Sequence, residues 1–174
     1  MPYANLKAGH KLYYDEFGAS AGEAIVLVMG LNTQCIAWDD DFCELLSNDK
    51  KYRVVRFDNR DIGLSDKFET KEKYNIAAAY FKQMLRMKIK APYSLVDMSN
   101  DVFGLMDCLN IDRAHIVGAS MGGMISQICA LQNQSRVLSM TSIMSTTSAH
   151  NLPSARFSLI RLMLKPKPVC VCLY

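Results

Sequence analysis

Apolar residues along this chain follow two rhythms. Residues 52–57 (YRVVRF), 114–117 (AHIV) and 137–144 read as strands, and residues 25–29 (IVLVM) form a continuous apolar run. Such a run is expected of a strand buried on both faces of a sheet. Residues 3–7 and 11–17 alternate around Gly9 and predict a hairpin with His10 in its turn. Between these runs the period changes. Leu95, Met98, Val102, Leu105, Met106 and Leu109 form one helical stripe, and residues 124–131 open a second helix that reaches about Gln134. Ile36, Trp38, Phe42, Leu45 and Leu46 predict one face of a further helix. Residues 74–90 predict another, carrying Lys82, Arg86, Lys88 and Lys90. Strands alternating with helices imply a mostly parallel sheet with helices on both faces, which binds ligands at the carboxyl ends of its strands.

From Asn151 the pattern changes. Phe157, Ile160, Leu162 and Leu164 would fit one more helix, but Lys165-Pro166-Lys167-Pro168 must stop it, and residues 169–174 fit no pattern. The expected division is an α/β core over residues 1–148, then a segment 149–174 that is either the start of a cap or an aberrant tail.

At 174 residues and 50% apolar content, the chain is long enough for one sizeable core. The first 17 residues are polar and mixed in charge, and no run of eighteen apolar residues occurs. Neither a secretory signal nor a membrane span is expected, and the reading is cytoplasmic. The six cysteines include no Cys-x-x-Cys pair and fall mostly in apolar faces. They read as buried thiols, not as disulfides or a metal site, and no cofactor is called for. All 17 acidic side chains lie at or before Asp112, so the remainder is net positive. That positive charge is spread without a basic helix or interleaved aromatics, which argues against nucleic acid as a partner.

One stretch carries chemistry. Gly118-Ala119-Ser120-Met121-Gly122 follows an apolar strand and precedes an amphipathic helix. In that order it is the pattern of a serine held on a sharp strand-to-helix corner. Gly118 and Gly122 support the corner by removing side chains that would collide. Ser120 then projects at the carboxyl end of a strand, beside a helix N-terminus that favours developing negative charge. An oxyanion needs two backbone N–H donors. Met121, directly after the serine, supplies one, and Leu31, after the turn at Gly30, is the candidate for the other. The polar loop Asp58-Asn59-Arg60-Asp61-Ile62-Gly63-Leu64-Ser65 reads as a structural loop whose charges pair with each other and with its backbone.

With these stretches in view, the sequence resembles the α/β-hydrolase family, in the serine-esterase branch that contains aclacinomycin methylesterase. The resemblance rests on VLVMGLNTQ (26–34), DNRDIGLSD (58–66), PYSLVDMSNDV (92–102) and HIVGASMGGMISQ (115–127), and covers roughly residues 2–148. It implies an α/β-hydrolase fold, a Ser120 nucleophile, oxyanion donors at Leu31 and Met121, and a small-molecule ester or similar acyl substrate.

The family's catalytic order is Ser, then Asp or Glu, then His. Here no carboxylate follows Ser120. The resemblance therefore implies an amino-terminal portion, truncated before the cap and the last two strands and inactive by itself. The alternative is a non-catalytic interaction module that self-associates through an open sheet edge. Of the three histidines, His115 lies five residues before Ser120 in the same strand, about 16 Å away at ~3.3 Å per residue. His10 belongs to the amino-terminal hairpin. His150 alone follows a strand at the correct end and is the remaining candidate base, without an acid after it to orient it.

Overall fold

A computed structural model of the chain describes residues 2–68 and 91–147. The expected helix at 74–90, His150 and the tail from Asn151 lie outside the described residues.

Among the described residues six strands form one sheet: β1 (Tyr3–Asn5), β2 (Lys11–Gly18), β3 (Glu23–Val28), β4 (Tyr52–Phe57), β5 (Ala114–Ala119) and β6 (Val137–Ile143). Their spatial order is β1-β2-β4-β3-β5-β6. The β1–β2 and β2–β4 pairs are antiparallel. From β4 through β3 and β5 to β6 all pairs are parallel. Among the described residues three α-helices pack against the sheet: α1 (Asp40–Ser47), α2 (Leu95–Cys108) and α3 (Met121–Gln132).

The continuous apolar runs are explained by burial on both faces. Val26, Val28, Val55, Phe57 and Ile116 join the α2 residues Val102, Leu105 and Met106 and the α3 residue Ile125 in one cluster. Ile25, Leu27, Val54 and Ala119 face the other way, against Trp38 and Cys43. Each fully buried aliphatic side chain contributes about 1.5–3 kcal/mol relative to exposure. β6 differs from the rest. Its central residues are exposed and, among the described residues, it pairs only with β5.

The α2 stripe lies on the core as its spacing predicts, and its start is fixed by a reciprocal cap. Asp97 N–H donates to Ser94 Oγ, and Ser94 N–H donates to the Asp97 carboxylate. The face predicted for the first helix is buried only in part: Trp38 and Leu46 pack on the core, whereas Ile36, Phe42 and Leu45 are exposed. Asp39 caps α1, so the helix begins only at Asp40 and Trp38 precedes it. Cys43 and Ser47 are the buried residues of the helix, while Leu45 is 81% exposed.

Candidate active site

β5 ends at Ala119 and α3 begins at Met121, so the chain turns from sheet to helix on Ser120 alone. Ser120 has φ 55° and ψ −119°, a region where a side chain is strained. Strain of this kind costs about 1–3 kcal/mol and persists only where the surroundings over-determine it. Serine commonly uses its hydroxyl to cap a helix that it precedes, yet here the side chain makes no capping hydrogen bond. The Ser120 backbone N–H donates to Ile143 O at 2.9 Å, and its carbonyl accepts from Gly123 N–H at 3.0 Å.

The glycines leave space that nothing larger can share. A Cβ on Gly118 would lie 2.2 Å from Gly122 O, and one on Gly122 would lie 2.0 Å from Val28 O. Ser126 Oγ donates to Gly122 O at 2.8 Å and ties the first turn of α3 down. The loop after β3 comes equally close. A Cβ on Gly30 would sit 3.0 Å from Ser120 Cβ and 3.5 Å from its Oγ. The structure thus brings the Gly30 backbone against the Ser120 side chain. Leu31 itself is half exposed and Met121 packs on the core.

The loop 58–68 leaves β4, two strands from Ser120 in the sheet order. Asp58 accepts from Cys35 N–H at 2.7 Å and Leu64 N–H at 2.9 Å, and Ser65 Oγ donates to its carbonyl. Asn59 Nδ2 donates to Met29 O, which anchors the end of β3. Arg60 does not pair within its own loop, contrary to the sequence-based expectation. It forks onto Asp101 of α2, Nε to Oδ2 at 2.6 Å and Nη2 to Oδ1 at 2.7 Å, with both residues buried. His10 Nε2 lies 2.9 Å from the same carboxylate. The Arg60 guanidinium is flanked by the rings of Phe68 and Tyr93, each 4.9 Å away. Tyr93 donates to Asp61 at 2.5 Å, and burial together with this bond holds its hydroxyl above the usual tyrosine range.

The described histidines are engaged away from the serine. His115 lies between Glu23 Oε1 at 2.6 Å and Ser139 Oγ at 2.7 Å, near the amino end of β5. Burial pushes the Cys43 thiol up to about 11 and the Cys129 thiol up to about 12. Cys108 alone among the four described cysteines is exposed. The close approach of Gly30 to the serine has a readable signal, a glycine directly after a buried strand. The Arg60–Asp101–His10 cluster has none, because its members lie far apart in the sequence.

The model of the alpha/beta hydrolase fold family matches residues 23–167. Rhodomycin D methylesterase DauP of Streptomyces sp. (strain C5) is 28% identical over 130 residues, 75% of this chain and 37% of that protein. 3-Oxoadipate enol-lactonase 1 of Acinetobacter baylyi is 29% identical over 124 residues, 71% of this chain and 37% of that protein. The crystal structure of the enol-lactonase from Burkholderia xenovorans LB400 superimposes with a TM-score of 0.60 at 28% identity, covering 80% of this chain and 45% of that one. The chain therefore spans less than half the length of these relatives.

Proposed function

The chain belongs to the alpha/beta hydrolase fold family, and from that premise we propose that it carries the nucleophile-bearing half of a serine hydrolase acting on an ester or similar acyl substrate. In a complete relative a histidine takes the Ser120 proton as Oγ attacks the carbonyl carbon, and the Leu31 and Met121 N–H groups hold the oxyanion. The C–O bond breaks to release the alcohol that the histidine protonates, and water then hydrolyses the acyl-enzyme to the free acid. The observation that carries this reading is the Ser120 conformation. A strained residue with its hydroxyl unspent on capping, at a helix start and against Gly30, is what an exposed nucleophile requires. The names of the relatives, a methylesterase and enol-lactonases, share a carbonyl bonded to a departing oxygen. We take that acyl chemistry as the substrate class.

By themselves these 174 residues hold no carboxylate after Ser120 to orient a base. Loss of acid and base costs about 10⁴–10⁶ in turnover. The expected outcome is negligible hydrolysis of p-nitrophenyl esters and slow labelling by an alkyl fluorophosphonate at Ser120. Rapid labelling abolished by Ser120→Ala would contradict the slow turnover and uphold the nucleophile. Labelling unaffected by Ser120→Ala would remove the nucleophile itself. His150 acting as an unsupported base would be revealed by a fall in turnover in His150→Ala.

A second reading is favoured by one observation, the exposed β6 with a partner on one side only among the described residues. In it the chain is an interaction module that self-associates along that edge. A compact monomer in size-exclusion chromatography with cooperative unfolding would defeat this reading.

A further inference from the structure

The corner at Ser120 is held from one side by its own helix. From the other side it is held by the end of β6. Ile143 O accepts the Ser120 N–H at 2.9 Å, and two residues later Ser145 Oγ donates to Ser120 O at 2.7 Å. The intervening residue, Met144, has φ 42°, a conformation that side chains rarely adopt. Its side chain is 81% exposed, so burial of that side chain does not offset the strain. What the turn achieves is to present both Ile143 O and Ser145 Oγ to the same residue. Gly123, outside the Gly-x-Ser-x-Gly pattern, fits the same account. A Cβ there would sit 2.5 Å from Ser145 Cβ and 2.7 Å from its Oγ, so only glycine lets the Ser145 hydroxyl reach the corner.

We propose that Ser145 is a positioning residue for the nucleophile: it grips the Ser120 carbonyl and, with Ile143, fixes the backbone of the corner from β6. Ser145 touches no reacting atom. It acts by keeping Ser120 from relaxing out of its strained conformation, and with it the direction of Oγ and of the Met121 N–H that follows. A displacement of about 1 Å at a reacting group can cost 10²-fold in rate. The proposal rests on the serine-nucleophile reading above.

The test compares the unmodified chain with Ser145→Ala and Ser145→Thr, using Ser120→Ala as the blank. An alkyl fluorophosphonate titration separates reagent binding from the bond-forming rate constant, and thermal melts run alongside. The expected result is a bond-forming step at least about tenfold slower in Ser145→Ala, reagent binding unchanged, and recovery in Ser145→Thr, which keeps the hydroxyl. An unchanged bond-forming step in Ser145→Ala, or a lowered melting temperature without a rate effect, would overturn the proposal. If the unmodified chain does not react at Ser120, the nucleophile reading fails separately. Amide hydrogen exchange at Ser120 and Gly123 then decides the positioning claim: at least tenfold faster exchange in Ser145→Ala upholds it, and unchanged exchange rejects it.

Discussion

The turn at Ser120 and the loop 58–68 both leave the carboxyl ends of parallel strands, and they are held by opposite means. At Ser120 the chain is fixed by close approach and by backbone bonds: Gly118 against Gly122 O, Gly122 against Val28 O, and Ser120 N–H on Ile143 O. In the loop it is fixed by buried charge, with Asp58 taking backbone amides and Arg60 forked onto Asp101 beside His10. Steric and backbone restraint adds no titrating group next to a hydroxyl that must give up a proton. Ionic restraint depends on every partner being present, because a buried charge left alone is costly.

The largest expected effect breaks the ionic side. Arg60→Ala leaves Asp101 buried without its fork and should cost about 3–5 kcal/mol in a urea unfolding experiment. Next comes the steric side. Gly122→Ala pushes a methyl into Val28 O and should cost about 3 kcal/mol, as forced overpacking does. If the two values were reversed, the ranking of charge over contact would fail.

A third substitution sharpens the contrast by removing strain instead of support. Ser120→Gly should raise stability by about 1 kcal/mol while abolishing fluorophosphonate labelling, since glycine tolerates the backbone conformation that serine does not. Loss of stability in that variant would mean that the Ser120 side chain, not the backbone around it, holds the corner.

The smallest effect lies at the foot of α2, the helix that carries Asp101. Hydrogen bonds from the Ser94 side chain and backbone hold the Asp97 carboxyl below its usual range. A depressed native value means that its stabilisation is present above the ordinary carboxylate range and fades as pH falls through the lowered value. The urea midpoints of the unmodified chain and Asp97→Ala should therefore differ at neutral pH and converge as the pH is taken below about 4.

Much of the fold is legible in the residue pattern because central parallel strands must be apolar on both faces. β3 stands out as an unbroken run from Ala24 to Val28 for that reason. The Ser120 corner is legible because its glycines are required by geometry within a few residues. Legibility fails where long-range partners decide. Arg60 can be seen to need a carboxylate, but nothing local selects Asp101, 41 positions away, over Asp61 beside it. Around α1 the apolar spacing alone does not fix which residues turn inward, because Asp39 sets where the helix starts. Phe42 then stacks on Trp38, with ring centroids 5.6 Å apart, and does not enter the core. Ser145 belongs to no period at all, and its role depends on the positive φ of the residue before it.

The contact between Phe68 and Tyr93, with ring centroids 5.9 Å apart, has an architectural consequence. Both rings clasp the Arg60 guanidinium, so two segments far apart in the sequence share a single socket on the body of the protein. The same guanidinium is forked onto Asp101 of α2. Arg60 is therefore a keystone: withdrawing one side chain would unseat Phe68, Tyr93 and the helix together.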